Sequence, residues 1–470
     1  MSYRIGVISL GCSKNRVNSE QMMFLLDEAG HQVSGETDGA DIVLINTCGF
    51  IESAKTEAVE TILELAAAKQ AGSIGKIVVA GCLPQRYKDD ILTELPEIDA
   101  VIGTGSFDDV VNVIESHRGT VLLCDLKNHT REPSPCVIFG DINAPVSETD
   151  RIISTSPLWA YLKIAEGCDN NCAYCCIPSI RGKYRSRPME NIVTEAEKLV
   201  ERGIRELIIV AQDVTNYGID IYSEYKLAAL LTELNNIGNL KWIRLHYLYP
   251  DRFDDALIDV ISKSGKILKY LDIPVQHIND GILKKMQRRG SSRELKILFK
   301  RLREEIPGVV FRTSLITGLP GEGEKEFSQL CEFLEEVKFE RVGVFAYSPE
   351  AGTAAAKMGR PPKKVAEKRA EKLLELQAEI MQNHHKNRIG SIETVLVENM
   401  TTNIRGVEYY LARSYAESPE IDGYILIDQK NVYEITQENR PPVRTPVRFE
   451  EIQITEIING QLVGEYYQHS

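Results

Sequence analysis

The residues best suited to chemistry are three closely spaced cysteines in the stretch GCDNNCAYC. Cys168, Cys172 and Cys175 form a C-x3-C-x2-C pattern, and three thiolates at this spacing can bind three irons of a 4Fe–4S cluster. The pattern differs from the four-cysteine runs of ferredoxins and from the paired CxxC motifs of zinc sites. A cluster with three protein ligands leaves one iron open to a small molecule, which indicates a site of chemistry.

Three further cysteines share one kind of position in the first hundred residues. Cys12, Cys48 and Cys82 each follow a predicted buried strand, in VISLGC, LINTCG and VVAGC. Because the carboxyl ends of parallel strands lie along one edge of a sheet, we expect the three thiols to converge. They fit a second three-cysteine 4Fe–4S cluster, and the competing interpretation is one catalytic thiol with two bystanders.

The remaining cysteines lack such a setting. Cys176 directly follows a proposed ligand, but successive side chains point apart, so we do not count it among the ligands. Cys124, Cys136 and Cys331 are interpreted as structural. No secretory signal or membrane-spanning run is visible, which predicts a reducing, cytoplasmic location and no contact with membranes.

The composition limits the partners of the protein. The chain has 470 residues, a hydrophobic fraction of 43% and a formal net charge of −13. This length suits about three domains of roughly 100–200 residues each. An acidic chain has no overall basic field that would attract nucleic acid, and it suits a basic partner better.

The elements that must position the cysteines fall into three segments. Residues 1–145 alternate short apolar strands (4–11, 41–47 and 76–81) with helical patterns over 19–30 and 52–69, which predicts an open α/β sheet. We place the N-cap of the first helix at Ser19. Residues 131–157 are rich in Pro, Ser, Thr and Asp and are interpreted as a linker.

The second and third segments differ in their periodicity. Residues 155–375 contain six predicted strand–helix units, which match a partial TIM-like (βα)6 barrel with its chemistry on the loops after the strands. These strands are predicted at 159–166, 206–213, 242–249, 270–276, 310–318 and 341–348. A basic helix over 360–388 is interpreted as a solvated connector. Residues 390–470 alternate as in a small all-β barrel of about five strands.

The two cysteine groups, in this order, make the chain resemble the radical-SAM methylthiotransferases over essentially its whole length. The resemblance implies an N-terminal methylthiotransferase domain, a radical-SAM core and a C-terminal TRAM barrel. It also implies two 4Fe–4S clusters and S-adenosylmethionine (SAM), which acts as methyl donor and as radical source. The cluster held by Cys168, Cys172 and Cys175 would bind SAM, and that held by Cys12, Cys48 and Cys82 would carry the sulfur.

Four residues are candidate SAM contacts. Tyr174 stands where the superfamily usually has an aromatic or apolar residue near the adenine. Gln212 ends the second barrel strand, and Thr317 and Gly318 end the fifth, so all three should face the SAM pocket. Other residues near strand ends are weaker candidates for SAM binding or catalysis: Asp213, His246, Tyr247, Gln276, His277, Pro320 and Gly321. Arg181, Arg185 and Arg187 follow the cysteine loop and could hold a carboxylate, of SAM or of a target aspartate.

Local motifs favour one branch of this family. SLGCSKNRVNSE, NTCGFIESAK, LDIPVQH and ARSYAESPEIDG look like the branch that modifies the β-carbon of an aspartate in small-subunit ribosomal protein S-twelve. The branch that modifies adenosine in tRNA typically has motifs like YGCQMN and NTCAVR instead. That activity is the alternative, and an iron–sulfur electron carrier without substrate chemistry is a third hypothesis. Cys176 stands where the ribosomal branch usually has an aliphatic residue.

Charge gives an independent reason to favour a protein substrate. Residues 390–470 carry 13 acidic and 6 basic side chains, whereas a domain that holds tRNA should be basic. An acidic barrel complements a basic ribosomal protein. The basic helix argues mildly for an additional contact with ribosomal RNA. Radical chemistry also implies an electron donor, such as flavodoxin or ferredoxin.

Overall fold

The chain builds three main sheets from the residues that the computed structural model describes, which are 2–88, 90–116, 136–404, 406–428 and 448–467. The first two are open sheets of six parallel strands, and the third is a closed barrel of five strands. The predicted fold class is confirmed: an open α/β sheet, a partial (βα)6 barrel and a small all-β barrel. Cys124 lies outside the described residues.

The N-terminal sheet has the strand order β2-β1-β3-β4-β5-β6. Its strands are β1 (Arg4–Ser9), β2 (Gln32–Ser34), β3 (Ile42–Thr47), β4 (Lys76–Gly81), β5 (Ala100–Ile102) and β6 (Cys136–Ile138). The three predicted strands are β1, β3 and β4. Strand β6 pairs with β5 inside the segment that we interpreted as a linker, so that interpretation is wrong for residues 136–138.

Helices cover both faces of this sheet: α1 (Ser13–Glu28), α2 (Glu52–Gln70), α3 (Cys82–Arg86), α4 (Ile91–Glu94) and α5 (Val110–Ser116). The N-cap prediction is wrong, because α1 begins at Ser13 with Cys12 as its N-cap. Ser19 is buried within the helix, where its hydroxyl donates to the backbone oxygen of Asn15. The first two turns of α1 are polar yet buried, so they carry no apolar period that would reveal a helix.

The central sheet has the order β14-β13-β12-β11-β10-β7, and every neighbouring pair is parallel. Its strands are β7 (Trp159–Lys163), β10 (Glu206–Val210), β11 (Trp242–Leu245), β12 (Ile267–Asp272), β13 (Val310–Thr317) and β14 (Arg341–Ala346). All six predicted strands are present. A separate two-stranded pair, β8 (Ala165–Glu166) and β9 (Arg185–Ser186), brackets the cysteine loop.

The central domain has three short helices, α6 (Ile177–Arg181), α8 (Ile219–Tyr222) and α11 (Asp280–Lys285), of which α6 packs against α3 of the N-terminal domain. The longer helices lie on the outer face of the sheet: α7 (Met189–Glu201), α9 (Leu227–Asn236), α10 (Asp255–Lys263), α12 (Ser292–Glu305) and α13 (Glu324–Val337). Their apolar stripes form one continuous core with alternate residues of the strands, such as Leu162, Leu207 and Ile209. Several of these helices begin with a side chain that caps a backbone N–H group, as Asp254 does at the start of α10.

The long basic helix is α14 (Lys363–Arg388), and it packs along the barrel. Ala370, Leu373 and Gln377 are buried on its inner face, and Arg369 pairs with buried Glu322. The interpretation as a solvated connector is therefore wrong. The inner face of α14 is partly polar, because several of its buried side chains pair with groups on the barrel. The sequence therefore shows no apolar stripe that would reveal a buried face. No helix among the described residues is long and apolar enough to cross a membrane.

The C-terminal barrel closes in the order β15-β16-β17-β19-β18. Its strands are β15 (Ile392–Ile404), β16 (Val407–Arg413), β17 (Ile425–Asp428), β18 (Arg448–Ile458) and β19 (Gln461–Tyr466). Residues 414–422, between β16 and β17, leave this barrel and cover the inner face of the central sheet; we call them the lumen loop. Its Ala416 packs with Trp159, Tyr161 and Tyr270, which face away from the helices.

Candidate functional site

The structure brings Cys12, Cys48 and Cys82 together at the carboxyl edge of the N-terminal sheet. Gly11 has a φ of +90°, and a Cβ added there would lie 2.7 Å from the Cβ of Cys48, so only glycine allows this approach. Burial, together with negative charge on Cys82 and Cys12, raises the pKa of the Cys48 thiol to about 12. The three thiols thus share one buried electrostatic environment, as their strand-end positions predicted.

Two asparagines hold the backbone around this group. The Asn15 side-chain amide donates to the Thr47 carbonyl at 2.9 Å, and the Asn46 amide donates to the Asn15 carbonyl at 2.9 Å. The Asn46 Oδ1 atom is buried and finds no hydrogen-bond partner among the residues that the structure describes. These amides fasten α1 to the ends of β1 and β3, and so set the position of Cys12 relative to Cys48.

The loop that carries the second cysteine group is pinned at its base by β8 and β9. Gly167 has a φ of +78°, and a Cβ there would fall 2.0 Å from the Lys183 carbonyl oxygen, so the two arms of the loop touch only because residue 167 is glycine. Asn170 donates to Asp213 at 2.7 Å, which ties the loop to the end of β10. Asp213 is therefore an anchor of the cysteine loop.

The far side of the loop contacts other strand-end segments. The Ala173 N–H donates to the Met286 carbonyl, and the Ala355 N–H donates to the Ala173 carbonyl. The Arg288 guanidinium lies 3.8 Å from the Cys172 sulfur and donates to the Tyr174 hydroxyl at 3.2 Å. Sequence reasoning missed Arg288, because it lies more than a hundred residues from the motif and follows no strand directly.

Gln212 lies where the sequence predicted, beyond the end of β10. Its amide donates to Glu166 Oε1 at 2.7 Å, whereas its Oε1 atom is buried and has no hydrogen-bond partner within the described part of the chain. A fixed amide with a free acceptor can receive a hydrogen bond from a ligand.

Thr317 and Gly318 have contacts within the fold. The Thr317 hydroxyl donates to the Ala366 carbonyl at 2.7 Å, and a Cβ at Gly318 would lie 2.3 Å from the Cβ of Ala366. Both residues therefore pack β13 against α14. Their contact with SAM stays a prediction.

Arg181 joins the two cysteine groups. Its guanidinium lies 3.4 Å from the Cys82 sulfur and donates to Glu166 at 2.9 Å, and it also contacts Asn15 and Asn18. Glu166 in turn pairs with Lys163 at 3.1 Å. A buried hydrogen-bond network thus runs from the N-terminal cysteines to the segment just before Cys168.

The other arginines after the loop bind groups of this chain. Arg187 pairs with Glu148 and Glu195, and Arg185 donates to backbone carbonyls. Arg181 and Arg187 bind carboxylates of the protein itself. A contact of these arginines with a carboxylate of SAM or of the target aspartate stays a prediction.

The candidate histidines are also engaged. The Nε2 atom of His246 lies 2.9 Å from the Ser418 hydroxyl of the lumen loop, and burial lowers the pKa of His246 well below its usual value, which keeps the ring neutral. The Nε2 atom of His277 lies 3.3 Å from Glu322. Each ring thus holds neighbouring segments, and a catalytic role for either stays a prediction.

The extra cysteines lie in packed surroundings. Cys176 is buried against Cys82, Ile180 and Phe50, so its side chain faces the N-terminal group. Cys136 and Cys331 pack in or against hydrophobic cores, which agrees with the structural interpretation.

Lys14, two residues after Cys12, is a charged residue that the sequence did not single out. It is buried, and its ammonium nitrogen lies 3.5 Å from the centre of the Tyr247 ring. Tyr247 follows β11 of the central sheet, so Lys14 faces the barrel from the N-terminal domain. The signal that could have found it is its position beside a proposed ligand.

The residues present fit iron–sulfur clusters better than a single ion. Among the described residues, no three His, Cys, Asp or Glu side chains are arranged to hold one metal ion. A cubane binds each cysteine to a different iron, so its ligands need not meet at one point. Burial raises the pKa of Cys168 to about 11, and bound iron reverses such a shift by stabilising the thiolate.

Comparisons with known proteins agree with this division of the chain. Residues 4–103 match the uncharacterized protein family UPF0004, residues 162–334 match the radical SAM superfamily, and residues 389–466 match the TRAM domain. The fold resembles the radical S-adenosylmethionine methyltransferase TsrM from Kitasatospora setae, with a TM-score of 0.55 at 14% identity, over 76% of this chain and 74% of that one. Fold and site together define a radical-SAM chain with an added N-terminal domain and a TRAM barrel.

Curated relatives identify the family. A ribosomal protein uS12 methylthiotransferase RimO from Acetivibrio thermocellus is 43% identical over 100% of both chains. One of the same name from Desulforamulus reducens is 46% identical over 90% of this chain and 92% of its own. The chain belongs to the RimO family of radical-SAM methylthiotransferases.

Proposed function

We propose that the protein transfers a methylthio group to the β-carbon of an aspartate in ribosomal protein uS12, the small-subunit protein S-twelve. The observation that carries this proposal is the pairing of two three-cysteine groups, one on each parallel sheet, joined through Arg181. An electron carrier needs no such pair of open sites. The names of the full-length relatives support the same substrate.

The cofactors proposed are two 4Fe–4S clusters and SAM. Cys168, Cys172 and Cys175 would hold the cluster that binds SAM, and a second set would hold the auxiliary cluster: Cys12, Cys48 and Cys82. When bound, these groups would supply a carbon-centred radical, a transferable sulfur and a methyl group.

The protein's own side chains would orient SAM and exclude water. Tyr174, fixed by Arg288, would lie near the adenine, and Gln212, fixed by Glu166, would accept a hydrogen bond from SAM. Thr317 and Gly318 would contribute backbone groups from the turn after β13. The lumen loop covers the inner face of the sheet, which keeps a reactive radical away from solvent.

The proposed partners follow from charge and chemistry. The acidic domain over residues 390–470 would attract basic uS12, and basic side chains on the outer face of α14 would touch ribosomal RNA. Flavodoxin or ferredoxin would supply electrons in the cytoplasm. The proposed domains cover residues 1–145, 155–375 and 390–470.

The decisive experiment is mass spectrometry of uS12 and tRNA from cells that lack this gene. We expect uS12 to lose a methylthio group on one aspartate, and we expect a plasmid copy of the gene to restore it. Loss of methylthiolated adenosine from tRNA, with uS12 unchanged, would instead support the alternative activity and overturn the proposal.

A further inference from the structure

Lys14 differs from the other cations near the N-terminal cysteine group in lacking a carboxylate partner. Arg181 and Lys163 pair with Glu166, and Arg16 pairs with Glu420. Lys14 is only 7% exposed, and among the described residues no ion pair joins it to an acidic side chain. The nearby Cys12 thiol and Tyr247 compensate part of this buried charge, and a buried cation that has no carboxylate partner remains open to one from a ligand.

The start of α1 offers further unused donors beside Lys14. The Ser13 hydroxyl is buried and has no hydrogen-bond partner among the described residues. The first turn of this 16-residue helix contains no acidic side chain, although a helix N-terminus carries a partial positive charge that favours anions. The N–H groups of Lys14 and Asn15 already point to the Cys12 sulfur, so the hydroxyl and the ammonium are the groups that favour an anionic ligand.

Tyr247, the barrel residue that contacts Lys14, has a strained backbone conformation. Tyr247 has a φ of 59°, a left-handed conformation that is unusual for an aromatic residue. Its N–H donates to Asp272 at 3.2 Å, and its carbonyl accepts from the Val214 N–H at 3.1 Å, so the surroundings hold this conformation. Backbone strain of this kind clusters at functional sites, and here it brings the ring under the ammonium.

We propose that Lys14 binds the carboxylate of the target aspartate. This inference rests on the proposed function and deepens it, because it assigns the substrate side chain to one residue. Lys14 lies two residues after Cys12 and faces the strand ends of the central sheet, so a carboxylate held there is delivered between the two cysteine groups. SAM also carries a carboxylate, so the test must distinguish a contact of Lys14 with SAM from a contact with the target aspartate.

The test compares uS12 that carries either aspartate or asparagine at the modified position. Dissociation constants are measured by calorimetry with the cluster-loaded enzyme and with the variants Lys14→Met and Lys14→Arg. Lys364→Met removes an exposed lysine on α14 and serves as the control. Iron content and SAM cleavage without uS12 show whether each variant is folded and loaded.

We expect the wild type and the control to bind the aspartate form roughly 10- to 100-fold more tightly than the asparagine form, as for a charge-assisted hydrogen bond. Lys14→Met should abolish this preference and keep normal iron content and SAM cleavage, whereas Lys14→Arg should keep part of the preference.

Two results overturn the assignment. If Lys14→Met keeps the preference, or if it loses SAM cleavage instead, Lys14 does not bind the aspartate. If the wild type itself shows neither modification nor preference, the proposed function fails together with the assignment. Should Lys14→Met not load iron, the Lys14→Arg variant decides: a reduced preference in the loaded chain supports the contact, and an unchanged preference overturns it.

Discussion

At the scale of single residues, Arg181 makes the most consequential contacts of the candidate site. Its guanidinium reaches a sulfur of the N-terminal group and a carboxylate of the central domain, and it is almost fully buried. Burial acts against its charge, but negative charge on Cys82 and Glu166 raises the pKa of Arg181 well above its usual value. One side chain thereby couples two domains electrostatically.

Replacement of Arg181 by methionine should be strongly destabilising. The change leaves the buried Glu166 carboxylate with Lys163 as its ion-pair partner, and removal of one member of a buried pair typically costs about 3–5 kcal/mol. Urea unfolding measures this loss. Arg202→Met, which breaks a half-exposed pair with Asp150, should lower the free energy of unfolding by less than about 1 kcal/mol. Equal effects of the two variants would show that the Arg181 network contributes nothing special.

The sequence predicted the cysteines but not the side chains that support them. All six proposed ligands stand out because they follow strands or form a short motif. Arg181 was considered only as a ligand-binding residue, and Glu166 and Arg288 were not considered. Partners that come from distant segments leave no local pattern, since their pairing depends on how the domains dock.

At the scale of elements, buried ion pairs attach the lumen loop and the end of β16 to the central sheet and to α14. Glu417 accepts from Arg341 at 2.8 Å and pairs with Arg388 of α14. Arg413, at the end of β16, pairs with Glu206, which also pairs with Arg244. All of these residues are buried, so the C-terminal barrel is fixed to the central sheet by charges as well as by apolar packing.

Stability at low pH should depend on Glu417. Burial alone would raise its pKa, but Arg388 and Arg341 hold the pKa of Glu417 well below the usual 4.5. A carboxyl group whose pKa is lowered by folding stabilises the fold at pH values above its unfolded-state pKa. This stabilisation is lost as the pH falls from that value towards the folded-state pKa.

Glu417→Gln should therefore lower the free energy of unfolding by about 3 kcal/mol near neutral pH. Below about pH 4.5 the variant should lose stability less steeply than the wild type, because the group that titrates is gone. Chemical unfolding between about pH 6 and about pH 3 measures both slopes. Glu224→Gln removes an exposed carboxylate that pairs with half-exposed Lys226, and this variant should follow the wild type. Parallel curves for all three proteins would contradict the role of Glu417.

The elements that the sequence revealed are the long or fully apolar ones. Strands β3 and β10 are buried on both faces and read as continuous apolar runs. Strands β2, β5 and β6 have three residues each, which is too short for a period to appear. The lumen loop was recognised as a motif, but its place on the central sheet follows from tertiary contacts that the sequence does not display.

At the scale of the whole molecule, the two cysteine groups predict that the bound iron is divided between two separate clusters. A Cys12, Cys48 and Cys82 triple alanine variant should lose about half of the iron and still cleave SAM after reduction, because the other group is intact. Iron and sulfide analysis, with detection of 5′-deoxyadenosine, measures both properties. Cys331→Ala, which removes a half-buried cysteine outside both groups, should keep all of its iron.

Unchanged iron in the triple variant would exclude an auxiliary cluster and would favour the catalytic-thiol interpretation. Loss of all iron would mean that the two groups load only together. Either result can be distinguished from misfolding by the thermal unfolding of the same preparations.

The lumen loop also affects the order in which a newly made chain can mature. Arg413 and Glu206 are separated by 207 residues, so the ribosome synthesises almost half of the protein between them. Once β14 has emerged, the central sheet has all six of its strands, but until the lumen loop follows, Glu206 has Arg244 and not yet Arg413 as an ion-pair partner, and the aromatic inner face has no cover. The nascent central domain must therefore wait, exposed to chaperones and proteases, for the last domain to arrive. A message truncated before the codons of the lumen loop would thus yield a product that is eliminated rather than a partly active enzyme.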